Sequence, residues 1–339
     1  MPKETRIYKY LFGPVSSRRL GLSLGVDLVP LKVCSFDCIY CQLGRTTHKT
    51  VERREWAPTA DVIAEIEDWV GAGGQADVVT LAGSGEPTLH TGFGRVLDAV
   101  RRLTPIRTAL LTNGSLLYLP EVREGAARAD IVKVTLCASN ESLWSRIHRQ
   151  AAELRFAQTL EGLKTFRKMF RGELWLEVMV LGGINAPEGE VRRIAALSAA
   201  IGPDRVHLNT PVRPPAEDFV IPVGKDELER LARLFSPPAE AVGSSTEAAS
   251  AATDAAGSRT EVAGEPHPKA HAGSSSQQDD AIVAMLRRHP CSAAEIAAAS
   301  RIPLATVRST LKRLARRGLV RTRKAGTETS YVAVSSAPD

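Results

Sequence analysis

Three cysteines fall within eight residues, Cys34, Cys38 and Cys41, in the segment VCSFDCIYCQLG with C-x3-C-x2-C spacing. Thiolates this close together can wrap one metal centre if the loop folds around it. Being three, they leave one coordination position unfilled. Zinc would need a fourth ligand, and His48 is the nearest candidate. A four-iron cluster would leave one iron open to an external ligand. Buried structural thiols are the third reading. The spacing differs from the paired C-x2-C arrangement usual for structural zinc.

A second suggestive string is LAGSGEPTL, Leu81–Leu89, which follows the apolar run ADVVTL. A strand end offers carbonyls, Gly85 permits close approach of a ligand, and the acid Glu86 suits an ammonium group. A tight turn ended by Pro87 would use the same residues.

These residues need elements to position them. The runs LGVDLVPL, ADVVTLAGS, IRTALLTNGS, IVKVTLCAS, LWLEVMVLGG and RVHLNTPV read as buried strands. Between them, TADVIAEIEDWVGAG, GFGRVLDAVRRL, LRFAQTLEGLKTFRKMF and EGEVRRIAALSAAIG fit helical spacing. Such alternation predicts βαβ units and an α/β fold with a parallel sheet, open or curled towards a barrel. Function then gathers at the C-terminal ends of the strands. Asn113, Thr135, Cys137 and Asn209 all fall at such ends. Glu177 lies inside an apolar strand, where a charge is seldom buried without a partner. Cys137 reads as an inert thiol rather than a ligand.

The composition is that of a globular chain, 43% hydrophobic and 24% charged, with five cysteines among 339 residues. That is too few for a disulfide-stapled secreted scaffold. No apolar stretch reaches the roughly 18 residues of a membrane span, and MPKETRIYKYLFG lacks a signal-peptide core. A cytoplasmic protein is expected. Residues 237–278 are rich in Ala, Ser, Gly, Glu and Pro, without an aromatic residue, and read as a flexible linker.

The net charge of +6 is unevenly placed. Residues 279–334 hold eleven Lys/Arg against four acids, whereas residues 1–278 are neutral. This basic stretch reads as three helices and a hairpin, a winged helix-turn-helix. Ser292 and Glu295 have capping-box spacing, and Gly318 stops the third helix. Arg308, Lys312, Arg313 and Arg316 on that helix, with Arg323 on the wing, are the candidate nucleic-acid contacts; a solvated face or a protein-docking module would look similar.

The cysteine motif, with Tyr40 just before its last member, resembles the cluster loop of radical S-adenosylmethionine (SAM) enzymes. LAGSGEPTL resembles that family's Gly-Gly-Glu-Pro motif, with Ser84 where glycine is usual. The strings SRRLGLSLGVDLVP, VKVTLCAS, LWLEVMVLGGIN and LNTPVRPP resemble a bacterial and archaeal subgroup related to wyosine-type tRNA synthetases. The resemblance covers residues 10–235.

It implies a partial (β/α)6 TIM-like barrel over residues 1–236, joined by the linker to the winged helix at 279–334. It also implies that Cys34, Cys38 and Cys41 hold a [4Fe-4S] cluster whose open iron is chelated by SAM. An electron then splits the S–C5′ bond, and the 5′-deoxyadenosyl radical abstracts hydrogen from a substrate. Ser84, Gly85 and Glu86 would line the SAM amino group, and Tyr40 would pack on the adenine or shield the cluster. Asn113 and Thr135 would bond the ribose or carboxylate, and Glu177 would serve the SAM or substrate site. Cys137 stands where related sequences more often carry Asp. Arg149 and Arg213 would hold an anionic group. His48 and His148 have no clear role, and His90 reads as a cap. The electron donor would be a separate protein such as a flavodoxin or ferredoxin. A substrate in nucleic acid, such as a tRNA base, would unite the two halves. The rival expectation is a redox-sensing iron–sulfur regulator that binds DNA without SAM chemistry.

Overall fold

The computed structural model describes residues 8–17, 19–242, 279, 282–283, 285–286, 291–300, 302–325 and 328–334. The chain opens with β1 (Leu11–Ser17) and β2 (Gly21–Val26), an antiparallel pair. The cysteine loop follows, with the two-residue strands β3 (Val33–Cys34) and β4 (His48–Lys49) pairing in parallel. Then come α1 (Thr59–Gly71), β5 (Val78–Leu81), α2 (Phe93–Leu103), β6 (Arg107–Thr112), α3 (Pro120–Ala126) and β7 (Ile131–Thr135). Next are α4 (Glu141–His148), α5 (Phe156–Met169), β8 (Glu173–Met179), β9 (Leu181–Gly182), α6 (Glu188–Ile201) and β10 (Arg205–Asn209). β11 (Ile221–Pro222), α7 (Lys225–Ala232) and β12 (Glu240–Ala241) complete the domain.

The main sheet runs β1-β2-β5-β6-β7-β8-β10-β12. From β2 to β10 it holds six parallel strands, so the partial six-stranded barrel is present. All four residues of β5 are buried because a parallel sheet is covered on both faces. The alternate residues Val79, Leu81, Leu110, Val132, Leu174 and Leu176 face the helices and form the main core. α2 presents Phe93, Val96, Leu97 and Val100 to that core at helical spacing.

The other face of the sheet is different. Ser23 and Thr80 share a hydrogen bond of 2.7 Å there. Lys133, Thr135, Glu177, His207 and Asn209 follow on β7, β8 and β10 in matching register. Below them, towards the strand N-termini, Val78, Ala109, Ile131 and Trp175 pack into a small apolar floor. A cavity of about 240 Å³ borders that floor, lined by Arg19, Val78, Ile131 and Trp175 together with Asp77, Arg107, Glu173 and Arg205.

Three differences from the sequence reading have local causes. The strand expected over LGVDLVPL stops at Val26, and Asp27 already belongs to the site. Helices α3, α4 and α7 are short and escape a periodicity reading; α4 begins where Asn140 Oδ1 accepts from Leu143 N at 3.0 Å. β12 falls inside the stretch read as a linker. Its backbone pairs with β10, and Val242 N donates to Leu208 O at 2.8 Å. Edge pairing of this kind leaves little compositional signal. Residues 243–278 of that stretch lie outside the described residues.

The C-terminal part has the expected winged-helix order. Asp279, Ile282, Val283, Met285 and Leu286 are helical. α8 (Ala293–Ser300) carries the capping box, with Ser292 N to Glu295 Oε2 at 2.7 Å and Glu295 N to Ser292 Oγ at 3.2 Å. α9 (Leu304–Arg316) ends before Gly318, whose φ of 72° suits glycine. The hairpin β13 (Val320–Ala325) and β14 (Glu328–Ala333) forms the wing. No helix among the described residues is long and apolar enough to cross a membrane.

Candidate functional site

The three cysteines sit on a loop at the C-terminal ends of the sheet strands. Each thiol meets a nitrogen. Lys32 Nζ lies 3.2 Å from Cys41 Sγ. Phe36 N and Asn113 Nδ2 approach Cys34 Sγ at 3.5 and 3.7 Å. His148 Nδ1 stands 3.1 Å from Cys38 Sγ. Burial pushes the Cys34 thiol up to about 12, and the Glu86 carboxylate adds to the effect. Cys38 is also raised, by burial and then by Cys34 and Cys41. Thiols that feel one another in this way are natural ligands once a metal centre displaces their protons.

The donor set fits an iron–sulfur cluster better than zinc. His48 is exposed, stacks edge-on against Trp56 at 5.6 Å and sits level with Val33 rather than Cys34. Among the described residues no three His, Cys, Asp or Glu side chains gather closely enough for a single metal ion. A tetrahedral zinc with bonds near 2.3 Å draws its thiolates to about 3.8 Å of one another. A cluster spreads them wider, and hydrogen bonds to its sulfurs tune it.

The Ser84–Glu86 loop is fastened to the cysteine loop. Lys32 N donates to Ser84 O at 2.8 Å, and Glu86 N donates to Val33 O at 3.1 Å. A Cβ on Gly85 would stand 1.8 Å from Val33 O, so only glycine fits. Ser84 is braced from behind: its N and Oγ donate to the Asp27 carboxylate at 3.1 and 2.5 Å. Gly83, at φ 149°, leaves the room that Asp27 fills.

The Glu86 carboxylate is surrounded by donors. It accepts from Thr88 N at 3.1 Å, Thr88 Oγ1 at 2.6 Å, Thr112 Oγ1 at 2.6 Å and Asn113 N at 2.8 Å. Burial lifts this carboxyl above its ordinary range, and those four donors work against the rise. The acid ties the end of β5 to the end of β6. Asn113 is likewise engaged, its Nδ2 on Ser35 Oγ at 2.8 Å and its Oδ1 accepting from Ser115 N at 2.9 Å.

Tyr40 packs edge-on to His148 at 5.9 Å, with its hydroxyl 3.8 Å from Cys137 Sγ. Cys137 is buried; burial pushes its thiol up to about 12, and Met179 N donates to it at 3.2 Å. Thr135 lies level with Glu177 across β7 and β8. Glu177 is engaged by Arg19 and Lys133. Burial alone would raise its carboxyl, but these two cations hold it well below the carboxylate range. Arg149, in left-handed conformation at φ 44°, pairs with Glu217 at 2.5 Å. Arg213 reaches Gln42 at 3.4 Å and Glu295 at 2.7 Å. His90 caps locally, its Nδ1 accepting from Gly92 N at 2.9 Å.

On α9, Arg308, Lys312 and Arg316 are exposed. Arg313 is exposed too, but pairs with the buried Asp279 at 2.5 Å, and Arg317 joins them at 3.1 Å. Arg323 lies in β13, with its side chain outside the described residues. Sequence reading missed Asp27 and Lys32 at the cysteine loop and gave His148 no role there, and it missed Arg19 and Lys133 below it. A lysine and a glutamate at inward positions of neighbouring apolar strands were the available signal for the last pair.

Comparison with known proteins bears on both parts. The profile described as the radical SAM superfamily matches residues 28–197, half of the chain. That described as the sugar-specific transcriptional regulator TrmB matches residues 275–337, in line with the winged helix. A UPF0026 protein of Methanocaldococcus jannaschii is 36% identical over 227 residues, covering 66% of this chain and 70% of that protein. A UPF0026 protein of Synechocystis is 40% identical over 209 residues, covering 60% of this chain and 76% of that protein. Among solved structures, that of TYW1 with a lysine-pyruvate adduct bound is similar, with 17% identity and a TM-score of 0.47 over 64% of this chain and 74% of that one.

Proposed function

Since this chain belongs to the radical SAM superfamily, we propose that it cleaves SAM reductively at a [4Fe-4S] cluster held by Cys34, Cys38 and Cys41. When bound, cluster and SAM supply reductive scission of the S–C5′ bond and a 5′-deoxyadenosyl radical that takes hydrogen from a substrate. The observation that carries this reading is the double hydrogen bond between Lys32–Val33 and Ser84–Glu86. It makes the thiolate loop and the Gly-Glu loop one surface, so a ligand at an open iron meets both.

This chain's residues then have distinct tasks. Lys32 and His148 hold positive charge and an imidazole against Cys41 and Cys38. Ser84, Gly85 and Glu86 line the SAM amino group, with the Glu86 carboxylate also tying the turn together. Tyr40 shields the cluster, and Ile39, Ile147, Leu181 and Val220 form an apolar rim beside it that keeps water out. Thr135 and Glu177 line the way down from the cysteine loop. Asn113 orients Ser35 and Cys34.

The remaining assignments follow from the same reading. The barrel and the winged helix are separate domains on a tether. The electron comes from a cytoplasmic donor such as a flavodoxin or ferredoxin. Arg308, Lys312, Arg316 and the wing around Arg323 contact nucleic acid, with Arg313 partly committed to Asp279. A nucleic-acid substrate, such as the tRNA base of a wyosine-type reaction, would employ both domains. The polar inner face of the barrel favours an enzyme over a redox-sensing regulator, which needs no such interior.

Anaerobic reconstitution with iron and sulfide, followed by dithionite and SAM, tests the reading. Release of 5′-deoxyadenosine is expected, and its loss in Cys38→Ala. A cluster that reduces but never cleaves SAM, in a protein that binds one duplex sequence tightly, would establish the regulator instead.

A further inference from the structure

Among the described residues the sheet of the barrel does not close. Its order runs from β1 to β12, and these two edge strands do not pair with each other. β1 is paired by β2 alone, and an edge of this kind calls for a cover. α8 of the winged helix packs against it. The same helix also reaches the other side of the gap. Glu295, in its first turn, accepts from Arg213 Nη2 at 2.7 Å, and Arg213 belongs to the segment that leaves β10, next to the opposite edge. Arg213 Nη1 turns to Gln42 Oε1 at 3.4 Å, one residue after Cys41. The wing is tied to the same end of α8: Cys291 N donates to Tyr331 O at 3.2 Å, and Tyr331 N donates to Cys291 O at 2.8 Å. One line of contacts therefore runs from the wing through Glu295 and Arg213 to the cysteine loop. The face of α9 that carries Arg308, Lys312 and Arg316 stays exposed on the outside.

Glu295 has two duties, since one carboxylate caps α8 through Ser292 N and holds Arg213. An exposed ion pair alone attaches a domain weakly. Joined to helix-on-strand packing, it fixes an orientation as well. Arg308, Lys312 and Arg316 follow one another at four-residue spacing, so their cations lie along one helix face and suit a row of phosphates. We propose that the Arg213–Glu295 latch seats the winged helix across the gap of the barrel, so that a nucleic acid held by α9 and the wing is presented to the cysteine loop. The proposal rests on the enzyme reading above and makes the nucleic acid a substrate rather than an operator. Arg213 and Glu295 act as positioning residues, with no contact to a reacting atom. Seating turns the second encounter, at the rim of the barrel, into an intramolecular one at high effective concentration.

The test compares the full chain, its cluster reconstituted anaerobically, with Arg213→Glu, Glu295→Arg and the double charge swap. Small-angle X-ray scattering reads the seat: each single variant expands the particle, and the double swap restores the wild-type radius of gyration. Four identical profiles overturn the latch, and a latch lost on dilution belongs between two copies and overturns the seat within one chain. Hydrogen exchange with unfractionated tRNA, and in a second arm with a random-sequence duplex DNA, reads the presentation. In wild type at least one of them shields α9 together with residues 39–46 and 211–221, and the arm that does so tells RNA from DNA. The single variants keep the shielding of α9 and lose it at the rim, and the double swap regains it. Shielding of α9 alone in wild type, or binding of neither probe, overturns the proposal. Should Glu295→Arg fail to fold for want of its cap, Glu295→Gln retains a capping-box side chain without the charge and takes its place, expanding the particle as Arg213→Glu does. Wild-type protein that releases 5′-deoxyadenosine but shows no shielded rim refutes the seat and leaves the enzyme reading intact. A shielded rim without release does the reverse.

Discussion

His148 Nδ1 meets Cys38 Sγ at 3.1 Å, although the two residues are 110 positions apart in the chain. The imidazole is fully enclosed, tilted over Phe36 at 4.8 Å and edge-on to Trp144 at 6.3 Å. A ring packed this way cannot swing aside, so its nitrogen is committed to the sulfur. Lys32 Nζ makes the matching approach to Cys41 Sγ, at 3.2 Å.

Positive charge and N–H donors near thiolates stabilise the reduced form of a cluster. Lys32→Met and His148→Phe should each lower the midpoint potential, on the order of 30–60 mV, equivalent to a three- to tenfold change in the one-electron equilibrium. A redox titration followed by electron paramagnetic resonance reads this directly. Potentials that match wild type in both variants would show that neither residue tunes the cluster.

Gly85→Ala forces a methyl group into the space of Val33 O. Backbone must move in one of the two loops, costing about 2–3 kcal/mol. Urea denaturation should show that loss, and the reconstituted variant should retain less iron than wild type. Normal stability with full iron content would mean the loops are less tightly joined than their hydrogen bonds indicate.

Glu86→Ala leaves Thr88, Thr112 and Asn113 donors buried without an acceptor. The expected destabilisation is about 3–5 kcal/mol. Glu86→Gln should fall between Ala and wild type, because one oxygen remains. Equal midpoints for all three proteins in a urea series would contradict the role given to this carboxylate.

His207 carries a pH dependence of definite sign. Its folded pKa, lowered to about 4, lies below the unfolded value of 6.5. As pH falls below that upper value, the unfolded chain takes up a proton that the folded protein refuses, and stability drops. The slope from this group is at most about 1.4 kcal/mol per pH unit and levels off below the folded pKa. Stability measured between pH 7 and 4 should fall less steeply in His207→Gln than in wild type; parallel curves would exclude it.

The exposed cations of α9 make a prediction about salt. If Arg308, Lys312 and Arg316 each meet a phosphate, their joint replacement by Gln should reduce the slope of log K against log salt by about 0.9 per lost contact. Duplex binding with an unaltered slope would assign that face to another partner.

Much of the frame was readable from the sequence alone. Six apolar runs became the six parallel strands, and Ser292, Glu295 and Gly318 bound the winged-helix elements as their chemistry suggests. The cysteine loop was legible because its members are neighbours in sequence. The roles of Glu86, Asn113 and His148 were not, because each is fixed by a partner tens of residues away. Arg19 looked like one more basic residue in SRRLG, and only folding brings it onto Glu177, 158 positions later. Glu177 itself was noticed for the right reason, a charge in an apolar strand, but its two partners could not be named from spacing.

The long reach of those contacts bears on how the protein matures. Asn113 and His148 touch cysteines that emerge from the ribosome 79 and 110 residues earlier. The cradle is therefore incomplete while the N-terminal third of the polypeptide is being synthesised. Iron delivery would then be a late event, in which the assembly machinery meets a folded recipient rather than a nascent peptide.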